Sequence, residues 1–331
     1  MTNFAHIVDI KPLFSGSAAS RKTAIQGLGN AIEKDGVFVA AGLPDGWHRE
    51  RRAAALLAFF GLSDADKLCL ATRRVRADSP RSYRGYVSTL KDGWAYNEFF
   101  DIGPERVLAK PALQAAQIFT ETNVWPAWPP FPNWRAEILA YHGAMEKTGT
   151  SILSAAGEYL GLPQGKIAAL FANAGSTLRL LNYPRKPDGA AIKEEMPLED
   201  GTRLVTGRHI DACAFSLLWQ GQAGLQAETP GGRWLDIPHQ PDCVSVHVGS
   251  VMEFLTAGRW RATPHRVLDS GAARGAIGYF HEPNLDAELS PLIVTPAVQA
   301  PGTAGLTYGG HLLERFARYE GLEDLAASAA S

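Results

Sequence analysis

A chain of 331 residues is long enough for one large or two moderate domains, and its 32 Lys and Arg against 34 Asp and Glu leave a formal net charge of −2. That balance, without a long basic run, excludes an obvious nucleic-acid-binding surface or an anionic membrane partner. The start, Met1-Thr2-Asn3-Phe4-Ala5-His6, lacks a charged segment followed by an apolar core, so no signal peptide is expected, and no apolar stretch approaches the roughly 20 residues needed to span a bilayer.

The front of the chain reads as helical. Residues 22–34 carry Ala24, Ile25, Leu28 and Ile32 at helical spacing, with Gly36 as the stop. Val37-Phe38-Val39-Ala40-Ala41 follows as a buried strand, and residues 50–60 as a second helix with Ala53, Ala54, Leu56, Leu57 and Phe60 apolar. Residues 73–132, rich in aromatics, glycine and proline, read as long loops with short strands, and such loops are often functional. Trp125, Trp128 and Trp134 are expected to pack. The longest helix is expected over residues 133–160, capped by Asn133, with Ile138, Met145, Ile152 and Tyr159 recurring every seventh residue and Gly161 and Pro163 closing it.

The back reads as β-rich. Leu178 to Tyr183 alternates Arg179, Leu181 and Tyr183 against Leu180 and Asn182, and Pro184 ends the strand. Across residues 177–281 short β-rich runs alternate with Gly/Pro turns, the pattern of a sandwich or barrel. A last helix is expected over residues 311–326, and no internal repeat is evident. Three cysteines, Cys69, Cys213 and Cys243, form no C-x-x-C pair and leave an odd thiol, which fits a reducing cytoplasm.

Gly207-Arg208-His209-Ile210-Asp211 and, later, Thr263-Pro264-His265-Arg266-Val267 carry the chemistry. Positions two apart in a strand share a face, which puts His209 beside Asp211. His265 follows after 265 − 211 = 54 residues, enough for several short strands to return. Two neutral imidazoles and one carboxylate on one face of an octahedron leave three positions open, the arrangement non-haem Fe(II) uses to hold a cosubstrate and O2. An H-x-D pair alone is common, and a lone interior histidine is usually a hydrogen-bonded core residue. Cys213 should share the inward face, as a small core residue rather than a ligand.

The surrounding phrases add weight: Phe215-Ser216-Leu217-Leu218-Trp219-Gln220, Arg233-Trp234-Leu235-Asp236-Ile237-Pro238, Gly258-Arg259-Trp260 before His265, and Arg274, which lies 274 − 265 = 9 residues beyond it. In this order they resemble the isopenicillin N synthase-like branch of the 2-oxoglutarate/Fe(II)-dependent dioxygenases, over nearly the whole chain. Tyr279-Phe280-His281-Glu282-Pro283-Asn284 and Tyr308-Gly309-Gly310-His311 are similar to bacterial and fungal members, the ethylene-forming group among them.

The resemblance implies an α+β fold with a double-stranded β-helix (jelly roll) core over residues 166–285, a helical and loop region over 1–165, and a tail with a helix over 286–331. It implies His209, Asp211 and His265 as ligands of Fe(II), with 2-oxoglutarate and O2 as cosubstrates. His239, His247 and His281 then fall to structural or rim roles. Arg274 would grip the distal carboxylate of 2-oxoglutarate, an interior guanidinium needing such a partner, and Arg179 and Tyr183 would flank the cosubstrate. Tyr83, Tyr86, Asn97, Ala212 and Arg318 are implied on the substrate side, though Tyr183 reads equally well as core and Arg318 as a solvated or ion-paired residue.

Many relatives carry Arg-x-Ser where this chain has Arg274-Gly275-Ala276, a departure shared with the ethylene-forming group, whereas that group has Tyr directly after the metal aspartate and this chain has Ala212. The implied activity is oxidation, by hydroxylation or desaturation, of a small molecule with release of succinate and CO2. The alternatives are an ethylene- and succinate-forming enzyme with L-arginine hydroxylation, a 2-oxoglutarate-independent oxidase of the isopenicillin N synthase type, and a jelly-roll sensor without chemistry. Neither the substrate nor the oligomeric state is legible.

Overall fold

The structure is a computed structural model that describes residues 4–44, 50–89, 93, 95–190, 192, 198, 201–293 and 305–317. Its front holds β1 (Ile7–Asp9), α1 (Pro12–Ser15), α2 (Ala18–Asp35), β2 (Val37–Ala41), α3 (Glu50–Leu56), α4 (Asp64–Leu68), β3 (Gly85–Val87), β4 (Glu98–Ile102), α5 (Trp134–Leu160) and α6 (Gln164–Phe171). The back holds β5 (Thr177–Tyr183), β6 (Leu204–His209), β7 (Phe215–Gln220), β8 (Leu225–Glu228), β9 (Trp234–Asp236), β10 (Val244–Val248), α7 (Ser250–Leu255), β11 (His265–Leu268), β12 (Arg274–His281) and α8 (Tyr308–Phe316).

Local chemistry explains the boundaries. The Ser17 hydroxyl accepts from the Ser20 N–H at the start of α2, and Gly36, at φ 73°, closes it in the left-handed conformation that favours glycine. The helix expected over residues 50–60 leaves α-geometry after Leu56 and continues as a 3₁₀ segment, Leu57–Gly61. At α5 the expected cap is corrected: Asn133 sits at φ 67° and its side chain makes no capping hydrogen bond. The other end behaves as expected, with Gly161 at φ 69° and the Leu162 N–H returning to the Gly157 carbonyl. Trp134 is buried as expected, but Trp128 is 79% exposed and packs against nothing that would bury it.

Two sheets build the roll. The larger runs β1-β2-β10-β7-β12-β5-β4-β3 and the smaller β6-β11-β8-β9. Strands from the front therefore extend the larger sheet at both edges, β2 beside β10 and β4 beside β5. Strand alternation splits the side chains between two cores. Leu178 and Leu180 of β5, with Ile277 and Tyr279 of β12, join the core packed against α2 and α5. Leu181, Tyr183 and Ala276 face the other way and meet Val205, Leu225 and Val267 of the smaller sheet inside the roll. Among the described residues no helix is long and apolar enough to cross a membrane. The last helix begins three residues earlier than expected, and Arg318 lies outside the described residues.

Candidate metal centre

β6 and β11 are antiparallel neighbours, and their register places His265 directly opposite His209. The two rings lie 4.1 Å apart between centroids. Asp211 follows two residues past the end of β6, in the turn that leads to β7, and its backbone carbonyl accepts from the Ser250 N–H at 2.9 Å. Asp211 Oδ1 lies 3.9 Å from His209 Nε2, and Oδ2 3.5 Å from His265 Nε2. One ligand atom from each of the three falls within 4.8 Å of the others.

The hydrogen bonds around the triad fix its donor atoms. His209 Nδ1 faces the Gly207 carbonyl at 2.9 Å and His265 Nδ1 the Thr263 carbonyl at 3.1 Å. A carbonyl only accepts, so each Nδ1 carries a proton, and each Nε2, the nitrogen nearer Asp211, is left as the candidate ligand atom. The Ser216 hydroxyl donates to Asp211 Oδ2 and fixes the carboxylate. Although 41% of the His209 side chain reaches the open cavity, enclosure by the surrounding protein, then the neighbouring His265, lowers it to about 4. Burial raises Asp211, but His265, His209 and the Ser216 hydroxyl outweigh it, and the net shift is downward. Two imidazole nitrogens beside a carboxylate are a donor set that fits a divalent transition metal.

The triad opens into a cavity of about 580 Å3, within the range of small-molecule sites. At one end sits Arg274, 5% exposed, on the inward face of β12 and directly across from Tyr183 of β5. Its Nη2 donates to Gln220 Oε1 at 3.0 Å and its Nε to the Gln222 carbonyl at 3.3 Å, with the guanidinium 5.3 Å from the Tyr183 ring centre. Burial lowers its pKa, and Tyr183 opposes that shift. Among the described residues no carboxylate pairs with it, so a buried cation has only neutral protein partners.

Alternation brings Arg179, Leu181 and Tyr183 to the cavity, with Asn182 turned away to Glu98 at 2.8 Å. Arg179, however, is already matched in charge, its Nε and Nη2 meeting Asp101 at 2.7 and 2.8 Å. Four residues of strand, about 13 Å, separate it from Tyr183. Tyr83, Asn97 and Ala212 also line the cavity. Tyr83 is held there because Glu121 accepts from three consecutive backbone N–H groups, those of Ser82, Tyr83 and Arg84. Tyr86 does not line it: its ring packs against Phe59 and its hydroxyl donates to Glu98 Oε2 at 2.5 Å. His281 is core, stacked on Phe171, and His239 pairs with Glu50 at 3.1 Å. His247 lies behind the metal site, its ring 5.1 Å from that of His265. Cys213 is buried beside Ser216, with its thiol pushed up by burial.

Four residues of consequence escaped the sequence reading. Ser216 holds the Asp211 carboxylate and Gln220 holds Arg274. Glu282, at the far end of β12, lines the cavity and accepts from Thr177 at 3.1 Å and Tyr308 at 3.0 Å. Burial raises it to about 7 against the pull of Arg84 and the two hydroxyls. Arg315, on the last turn of α8, also lines the cavity and donates to the carbonyl of Ile210, between two of the candidate ligands.

The sequence model of the 2OG-Fe(II) oxygenase superfamily matches residues 169–283, a span containing the triad and Arg274. Isopenicillin N synthase of Streptomyces clavuligerus is 27% identical over 314 residues, covering 93% of this chain and 94% of its own length. The 2-oxoglutarate-dependent dioxygenase citB of Monascus ruber is 28% identical over 298 residues, 86% of each chain. Among solved structures, a full-length Neurospora crassa protein in complex with alpha-KG is similar with a TM-score of 0.74 at 19% identity, covering 94% of this chain and 95% of that one, a likeness of fold.

Proposed function

We propose that this chain, which carries a 2OG-Fe(II) oxygenase superfamily domain, is an Fe(II)- and 2-oxoglutarate-dependent dioxygenase that hydroxylates a small molecule and releases succinate and CO2. The observation that carries the reading is the shared cavity: a His-Asp-His triad and a buried guanidinium without a carboxylate partner among the described residues open onto the same space. The fold neighbour solved with alpha-KG and the dioxygenase relatives support the choice of keto acid.

His209 Nε2, Asp211 and His265 Nε2 would hold the iron. Iron bound there supplies the oxygen-activating chemistry, with the keto acid as co-reductant. Arg274 orients the distal carboxylate of the keto acid through its planar fork, with Gln220 and Tyr183 fixing the guanidinium. Ser216 holds Asp211 in one orientation. Arg179, satisfied by Asp101 and about 13 Å along the strand from Tyr183, walls the substrate side rather than gripping the cosubstrate. Tyr83 and Ala212 border that side and limit the size of what enters.

A second reading has one observation in its favour: isopenicillin N synthases stand among the relatives, and Arg274 would hold a substrate carboxylate as readily as that of a keto acid. Protein loaded with Fe(II) without air and then given 2-oxoglutarate and O2 separates the two, with succinate and ethylene scored together. Succinate equal to the 2-oxoglutarate consumed, lost with iron affinity in alanine variants of His209, Asp211 or His265, is the expected result. Ethylene would move the chain to the ethylene-forming group. Bound iron with no affinity for 2-oxoglutarate would overturn the proposal in favour of the oxidase.

A further inference from the structure

Among the described residues five arginines line the cavity, and Arg74 holds its guanidinium 5.6 Å from the Phe99 ring centre. Arg179 is met by Asp101, and Arg208 by Glu228 at 2.6 Å. Arg274 is answered by the distal carboxylate of the cosubstrate, if the proposed function holds. Arg315 is answered by nothing comparable: its protein partner among the described residues is the neutral carbonyl of Ile210. A basic residue in the last turn of a helix ordinarily serves its own terminal carbonyls and solvent. Arg315 instead reaches across to the segment joining two metal ligands and lines the cavity.

The helix that carries it is firmly seated. The Tyr308 hydroxyl donates to Glu282 at 3.0 Å, His311 meets the Ser250 hydroxyl at 2.9 Å, and Leu312 and Leu313 are buried. Leu312 and Phe316, one turn apart on the same face, line the cavity with Arg315. The Phe316 ring stands edge-on to Tyr83 at 5.3 Å. One fixed cation thus adjoins an apolar, partly aromatic wall beside the metal.

We infer that Arg315 is the substrate-recognition residue and that the substrate is an organic acid, its carboxylate on the Arg315 guanidinium and its apolar, ring-bearing body against Leu312, Phe316 and Tyr83. This rests on the proposed function, which assigns Arg274 to the cosubstrate. Arginine suits the task because its fork offers a carboxylate two parallel charge-assisted hydrogen bonds.

The test uses the full chain loaded with Fe(II) and 2-oxoglutarate without air, titrated in a calorimeter with benzoate, phenylacetate and 3-phenylpropionate and with the matching primary amides. At least one acid is expected to bind about tenfold or more tighter than its amide, a difference that Arg315→Leu abolishes and Arg315→Lys retains in part. The affinity for 2-oxoglutarate, measured alongside, is expected to stay with Arg274. Equal binding of acids and amides, or no binding by any of them, overturns the inference. So does a variant at Arg315 that weakens 2-oxoglutarate while sparing the acids. Failure of the wild-type protein to bind 2-oxoglutarate would instead overturn the proposed function, whatever the acids do.

Discussion

Replacing Arg274 with leucine acts on binding and on folding through different interactions. In the proposed complex the guanidinium faces a carboxylate inside the roll, at a site where Arg274 is 5% exposed. Truncating one partner of a buried charge pair costs about 2–5 kcal/mol, because the other charge is left buried and unpaired. At 1.4 kcal/mol per tenfold, that weakens 2-oxoglutarate binding by about 30-fold to several thousand-fold. Folding has different contributions. Leucine forfeits the hydrogen bonds to Gln220 Oε1 and the Gln222 carbonyl, each contributing about 1 kcal/mol or more. It also relieves a cation whose charge burial disfavours and adds apolar burial across from Tyr183, a gain of about 1.5–3 kcal/mol when complete.

These contributions nearly offset, so the ligand-free variant should melt within about 4 °C of the parent, while its Fe(II) affinity is unchanged. Calorimetric titration of 2-oxoglutarate into anaerobic Fe(II)-loaded protein, with scanning calorimetry of the ligand-free chain, measures both. A change in 2-oxoglutarate affinity below about threefold in a folded variant would remove Arg274 from the cosubstrate site. A collapse in melting temperature would make it a structural residue.

Three further substitutions test the surroundings of the candidate metal site and the helix-side core. Ser216→Ala removes the hydroxyl held against Asp211 and should weaken Fe(II) by about 10- to 100-fold without unfolding the protein; competition against a chelator reads this, and unchanged affinity would deny the hydroxyl a role. Gly249→Ala places a Cβ 2.0 Å from the Cys213 carbonyl, so the Asp211–Cys213 turn must move, and both iron affinity and about 1–3 kcal/mol of stability should be lost. Normal iron binding would show that the turn does not position Asp211. His281 is buried with neither ring nitrogen hydrogen-bonded, and burial lowers it to about 4 from an ordinary 6.5. An unfolded chain therefore binds more protons between those values, and stability falls as pH drops through that window, by on the order of 3 kcal/mol at its foot. His281→Phe should flatten the dependence of melting temperature on pH between 6.5 and 4, and an unaltered slope would assign the acid sensitivity to other buried histidines.

What the sequence disclosed followed from alternation within single strands. The face shared by Arg179, Leu181 and Tyr183 is read correctly from β5, because a strand in a two-core sheet has no freedom to rotate its side chains. What it hid depended on segments far apart in the chain. Asp211 lies past the end of β6, so its direction is set by Ser216 and the Ser250 N–H rather than by parity with His209. Tyr83 and Tyr86 look equivalent in sequence, yet Glu121 draws only the first to the cavity. Gly85, at φ 140° against the Leu70 carbonyl, turns the chain between them. Arg315 was missed for Arg318, which lies outside the described residues; Thr307 starts α8 earlier than the apolar pattern suggested.

The two faces of β12 show how stability and chemistry are kept apart. Ile277 and Tyr279 point to the core shared with the helices and are at most 1% exposed. On the other face stand Arg274, Ala276, Gly278, Phe280 and, just past the strand, Glu282: a cation, two small residues, an aromatic ring and a carboxyl. Eight residues of strand span about 26 Å, which gives the cavity two separated polar ends with little side-chain bulk between them at Ala276 and Gly278. A groove with that charge pattern stabilises the empty protein poorly, since it keeps an unmatched guanidinium from water. The helix-side core must carry folding without it. Ligands that supply the missing negative charge should therefore stabilise the protein as they bind, with Arg274 and Arg315 each drawing its own.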